Sequence, residues 1–305
     1  MTLKRYKDNP IISPKRENGW ESIMTYNSAA IYEAGKVHIV YRAQGAKTGI
    51  SRFGYASSKD GFHIDERLNE PIFYPDPESD LEHLGVEDPR LTRLGDRIYM
   101  NYTAYGNNVG MVYPVTSVQI GITSISVEDF LNKRWNWSKR VYPFYRVDNK
   151  NSCFFPEKIQ GKYVLIHRIP PHIWIAYSSD MKTWENHNIL LSPKFEWEYF
   201  KIGGGAPPIK TEKGWLLIYH GVDKDMRYRL GVALLDLENP GKVIARYDKP
   251  FFQPETDYEI NGVVPSVTFS NGAVVIDGTL FVYYGAADTH VAVATAKVKD
   301  VLNLF

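Results

Sequence analysis

One short pattern recurs five times along the chain, and no other feature limits its fold so strongly. Each copy starts at a turn glycine, runs on as an apolar strand and ends among polar or aromatic residues, at 35–43, 95–105, 161–168, 214–221 and 278–288. A second strand-like stretch precedes each copy, at 27–32, 88–93, 151–159, 204–210 and 265–275, so each pair reads as a hairpin. A third stretch with small residues follows, at 54–58, 121–124, 175–179, 231–236 and 291–296. Three of the five then meet a turn signal, Asp60-Gly61, Asp180-Met181 or Asn239-Pro240, that can lead into an outer fourth strand. Sheets of three or four strands at a period of about 50 to 65 residues indicate radial repetition around a channel. The predicted fold is all-β, a single five-bladed β-propeller over residues 1–305. A β-sandwich, the competing all-β form, seldom repeats a strand triplet at such a period. Helical character is confined to 127–133 and 298–304.

Composition agrees and narrows the partners. Closed all-β folds reach 305 residues as one unit, and 21 tyrosines within a 14% aromatic content suit a β-rich core. A formal net charge of +1 supplies no long-range field for nucleic acid or an anionic membrane, so neither is expected as a partner. The single cysteine, Cys153, excludes a disulfide framework and favours a reducing compartment, the cytoplasm. Apolar runs of membrane-spanning or signal-peptide length are not seen.

In an antiparallel hairpin the start of the first strand and the end of the second lie together, so functional side chains are expected at that end of each blade. Those positions hold Asn27 and Arg42, Asp88 with Tyr102 and Tyr105, Asn151 and Arg168, the run Gly203-Gly204-Gly205 with His220, and Ser266 with Asp288. Within Gly85-Val86-Glu87-Asp88-Pro89-Arg90, Pro89 predicts an extended Asp88. Strand alternation then puts Arg90 on the same face as Asp88 and Glu87 on the other. Asp88 is the candidate acid, with Arg90 orienting it or a sugar, and Tyr102 and Tyr105 offering hydroxyls and ring faces. A structural Asp88–Arg90 ion pair is the plainer alternative.

Lys150, Arg168, Lys201 and His220 fall at inner strand ends of two consecutive blades, with Asn151 among them. A guanidinium fork, two ammonium groups, an amide and a protonated imidazole suit an oxyanion. A cluster of this kind, with no carboxylate of its own, requires an anion to complete it. The triple glycine lacks the Lys-Ser or Lys-Thr and the helix of a nucleotide loop, and reads as close backbone approach. The histidines show no paired metal-ligand spacing, so no metal is expected.

Gly85 to Arg90, His167-Arg168, the Lys201 segment and a late Tyr-Tyr-Gly-Ala-Ala-Asp ending at Asp288 together resemble glycoside hydrolase family 130, almost end to end. That resemblance implies a five-bladed propeller and a β-mannoside phosphorylase, a glycosyltransferase acting on β-1,2 or β-1,4 manno-oligosaccharides. It needs no cofactor beyond inorganic phosphate as co-substrate. Asp88 matches the proton donor, which the family is thought to use through a mannose hydroxyl. Lys150, Asn151, Arg168, Lys201 and His220 match phosphate-holding positions, with Tyr228 as an added contact, and Asn27, Arg42 and Asp288 match residues that grip the mannose. Relatives often associate, so a homo-oligomer is an expectation too. Two further readings stay open: an inverting β-mannosidase using Glu21, Glu196 or Glu198 as base, and a non-catalytic glycan-binding propeller. Leaving-side selectivity is expected in the loops 68–84 and 106–118.

Overall fold

The computed structural model describes residues 3–107 and 116–305, so most of the second candidate loop, 108–115, lies outside the described residues. The chain opens with a short strand β1 (Lys4–Arg5). Blade 1 is β2 (Met24–Glu33), β3 (Lys36–Gln44), β4 (Arg52–Ser58) and β5 (Glu66–Arg67). Blade 2 has β6 (Gly85–Leu94), β7 (Arg97–Asn107) and β8 (Thr116–Ser126), followed by helix α1 (Val127–Leu131). Blade 3 is β9 (Lys150–Phe154), β10 (Tyr163–Ile169), β11 (His172–Ser178) and β12 (Glu185–Leu191). Blade 4 splits its inner strand into β13 (Lys201–Gly204) and β14 (Ile209–Thr211), then adds β15 (Gly214–Val222), β16 (Tyr228–Leu235) and β17 (Val243–Arg246). After helix α2 (Asp257–Ile260), blade 5 is β18 (Thr268–Ile276), β19 (Thr279–Ala286) and β20 (His290–Lys297), and helix α3 (Val298–Leu302) ends the chain.

All five sheets are antiparallel meanders, and the three turn signals do lead to fourth strands, β5, β12 and β17. Blade 5 takes its fourth strand from the other end of the chain: β1 pairs with β20, Lys4 opposite Thr295 and Arg5 opposite Ala294. That pairing closes the ring and covers a sheet edge. The inner strands β2, β6, β9 and β13 follow one another around the axis, and β18 packs against β2 on one side and β15 and β16 of blade 4 on the other. Each middle strand is covered on both faces by adjoining blades, which is why β15 reads Gly-Trp-Leu-Leu-Ile-Tyr-His-Gly-Val and is buried throughout. Outer strands meet water, and the first five residues of β12 are exposed.

Four blades carry the same buried clasp. Tyr41, Tyr102, Tyr219 and Tyr284, at matching places in the middle strands, donate to Glu21 (2.8 Å), Glu82 (2.7 Å), Glu198 (2.7 Å) and Glu259 (2.7 Å). Each glutamate is also paired with an arginine: Arg67, Arg140, Arg246 or Arg5. Blade 3 places His167 there instead, packed against Phe144, Trp174 and His187. The clasps overturn three expectations. Tyr102 spends its hydroxyl on Glu82 and is no sugar ligand. Glu21 and Glu198, both fully buried in clasps, have no face free to activate water.

Candidate active site

The inner strands of blades 1, 2, 3 and 5 each break their regular pairing. The register slips between Tyr26 and Ala29 in blade 1, between Glu87 and Arg90 in blade 2, and opposite Ile166 and Arg168 in blade 3. Left-handed residues mark these slips: Asn27 (φ 45°), Asp88 (φ 53°) and Asn151 (φ 54°). Asn and Asp tolerate this conformation better than most residues, so these side chains supply both the bulge and its chemistry. Asp88 is therefore not extended, as Pro89 had suggested. The bulge also cancels the alternation that put Glu87 on the opposite face: Glu87 and Asp88 both bond to Arg42, through Nη2 (2.6 Å) and Nη1 (3.2 Å).

Asn27, Arg42, Asp88, Lys150, Asn151, Arg168, Lys201, Tyr228 and Asp288 line one cavity of about 200 Å³, with Val264, Val267 and Phe269 as its apolar wall. This is below the ~300–1,000 Å³ of pockets for drug-sized ligands and suits a single sugar ring. Larger grooves of about 490, 550 and 590 Å³ lie elsewhere, and Glu196 lines the first of them, away from the acid. The apolar wall carried no signal in the sequence.

One side of the cavity is anionic. Asp88 accepts from Asn27 Nδ2 at 2.9 Å and from Arg42. Burial alone would raise its pKa, but the charges of Arg42, Lys150 and Arg90 and the Asn27 hydrogen bond outweigh it and hold the carboxyl below the usual range. Asp288 has the opposite balance: burial, opposed by Arg42 and reinforced by Asp88 and Glu87, pushes it up to about 7.

The other side is cationic. Lys150 and Arg168 face each other across β9 and β10. Lys201 is lowered to about 8 by burial and by Arg168 and Lys150. It sits near the rings of Phe200 (5.3 Å) and Tyr228 (5.7 Å). Among the described residues, Arg168 and Lys201 make no salt bridge, and Arg168 Nε and Asn151 Oδ1 are buried without partners. Lys150 departs from the expected carboxylate-free cluster, because Glu87 Oε2 accepts from its Nζ at 2.9 Å.

His220 lies behind this wall, stacked on Tyr228 and against Phe269, with both ring nitrogens unpartnered. Burial, then Arg168, Arg90 and Lys201, drive its pKa well below 6.5. It is neutral, not the protonated donor the sequence suggested, and offers one N–H. Gly203 is needed beside it, since a Cβ there would stand 2.5 Å from His220 Cε1 and 2.7 Å from Asn151 Oδ1.

Two more expected ligands lie elsewhere. Arg90 is 1% exposed and runs across the axis to the carbonyls of Gly205 (2.7 Å) and Gly204 (2.9 Å), with Nη1 on the Asp88 carbonyl (3.0 Å). It fixes the Asp88 backbone and ties blade 2 to blade 4, but touches neither the Asp88 carboxylate nor the cavity. Tyr105, half-buried opposite Gly85 and Val118, is outside the lining. Among the described residues no group of histidine, cysteine, aspartate and glutamate gathers as a metal site, and no helix is long and apolar enough to cross a membrane.

The sequence model of glycoside hydrolase family 130, described as β-1,4-mannooligosaccharide phosphorylase, matches residues 2–305. The chain belongs to glycoside hydrolase family 130. Within the family, it is 44% identical to the 1,2-β-oligomannan phosphorylase of Thermoanaerobacter sp. strain X514, over 99% of each chain. It is 45% identical to the β-1,2-mannobiose phosphorylase of the same organism, over 98% of each. The solved β-1,2-mannobiose phosphorylase of Listeria innocua, in complex with β-1,2-mannobiose, superposes with a TM-score of 0.85 at 29% identity. That superposition covers 100% of this chain and 99% of the other, and it agrees with the five-bladed architecture.

Proposed function

We propose that this family 130 chain is an inverting phosphorylase that cleaves the terminal β-1,2 mannosidic bond of manno-oligosaccharides. The carrying observation is the division of the cavity, with Asp88, the candidate acid, and Asp288 on one side and Lys150, Asn151, Arg168, Lys201 and Tyr228 on the other. Phosphate is already an anion near neutral pH, so it needs position and charge compensation more than a base. Held by that wall, a phosphate oxygen attacks C1 from the face opposite the leaving sugar. The C1–O bond breaks as the leaving oxygen takes the proton supplied from Asp88, giving α-mannose 1-phosphate and a chain one unit shorter. Asn27, Arg42 and Asp288 grip the mannose. The β-1,2 linkage is favoured by the names of both Thermoanaerobacter relatives over the β-1,4 of the family description. Cys153, fully buried and unpaired, suits the cytosol.

Incubation with β-1,2-mannobiose is expected to release mannose 1-phosphate only when phosphate is supplied. Release of free mannose at the same rate without phosphate overturns the reading in favour of the hydrolase. Arg168→Ala is expected to raise the KM for phosphate at least ten-fold, and Asp88→Asn to lower kcat by about 10²–10⁴.

A further inference from the structure

Glu87 does not line the cavity, yet it is bonded to a cation from each half of it. One carboxylate oxygen takes Arg42, which also holds Asp88, and the other takes Lys150, which stands in the wall assigned to phosphate. The glutamate is 8% exposed and both bonds are short, at 2.6 and 2.9 Å, so the three side chains form one braced unit. We propose that Glu87 is a positioning residue that makes phosphate occupancy and protonation of Asp88 interdependent, an inference that rests on the phosphorylase reading.

An incoming phosphate competes with Glu87 for the Lys150 ammonium. Relieved of Lys150, Glu87 draws more strongly on Arg42, which then does less to stabilise the Asp88 carboxylate. The charge of the phosphate acts in the same direction, so Asp88 gains its proton when the nucleophile is present. The groups around Asp88 are Asn27 and Tyr26 on β2, Arg42 on β3, Glu87 and Arg90 on β6, Lys150 on β9, Arg168 on β10, Tyr228 on β16 and Asp288 after β19. Of these cations, Lys150 alone is both in the phosphate wall and bonded to Glu87. An empty anion site then leaves the acid ionised, which suppresses attack by water.

The test compares β-1,2-mannobiose with a nitrophenyl β-mannoside, whose leaving group departs without a proton. Glu87→Gln is expected to lower kcat on mannobiose at least ten-fold and to change turnover of the nitrophenyl donor less than three-fold. It is also expected to lower the KM for phosphate, because Lys150 is released. Equal losses on both donors with an unchanged phosphate KM would mark Glu87 as scaffold and overturn the proposal. Lys150→Met serves as a second variant. At saturating phosphate it is expected to move the alkaline limb seen with mannobiose, and absent with the nitrophenyl donor, to higher pH; an unmoved limb overturns the coupling. Phosphate-independent turnover by the unmodified enzyme is a different result, and removes the phosphorylase reading itself.

Discussion

Asp288 stands in the cavity with Asp88 and Glu87 near it and only Arg42 and Lys150 to offset three carboxylates. With its pKa raised to about 7, the folded chain holds this proton more tightly than the unfolded chain does. Stability is therefore lost as pH rises from the ordinary carboxylate value of ~4 through about 7, and the cost is complete above that. Asp288→Asn is expected to gain Tm relative to the unmodified protein on going from pH 5 to pH 8; a pH-independent difference in thermal scans contradicts this account. At this scale the sequence was a good guide to residue types and a poor one to direction. Asn27, Arg42, Asp88, Lys150, Asn151, Arg168, Lys201 and Asp288 were legible because hairpin geometry brings strand ends together, and Tyr228 only through the family resemblance. Glu87 was misplaced because alternation of faces presumes regular pairing, and a left-handed residue resets the count. The signal was present: Asn27, Asp88 and Asn151 recur at one place in three repeats, and all are types suited to bulges and turns.

Among the elements, the glutamate clasp explains why four blades share a core design that the strand pattern alone did not reveal. Glu21 and Tyr41 are separated by the same twenty positions as Glu82 and Tyr102, a regularity visible in the sequence but hidden by attention to strands. The clasp joins the segment before a blade to its middle strand and to an arginine beyond, so its loss unties three pieces at once. Glu198→Ala leaves Arg246, with a side chain 9% exposed, facing an empty site beside Tyr219. Breaking one partner of a buried pair costs about 3–5 kcal/mol, so the denaturant midpoint should fall accordingly. A shift under about 1 kcal/mol would mean that the clasp is dispensable. Tyr102 was mistaken for a ligand because a tyrosine at a strand end looks alike whether its hydroxyl meets a sugar or a glutamate.

For the whole molecule, the unforeseen feature is closure by β1. Two residues of strand at the start of a sequence carry almost no periodicity, and their partner, β20, is nearly the full chain away. Arg5 also supplies the clasp of blade 5, bonding Glu259 through Nε at 2.9 Å. Removing residues 1–5 strips an edge strand and leaves the buried Glu259 without its cation, and Tm is expected to drop by roughly 5–10 °C. An unchanged Tm would show that the ring holds without its first strand. Arg90, lying across the axis, has a wider consequence. With its guanidinium lodged against carbonyls of the far blade, Arg90 crosses the hole through the ring. A polymer cannot be threaded through a hole crossed in this way, so only the tip of a glycan can enter, and whatever is cut must leave by the door it came in. Under the proposed reading, the enzyme shortens its substrate from one end, a single mannosyl unit per visit.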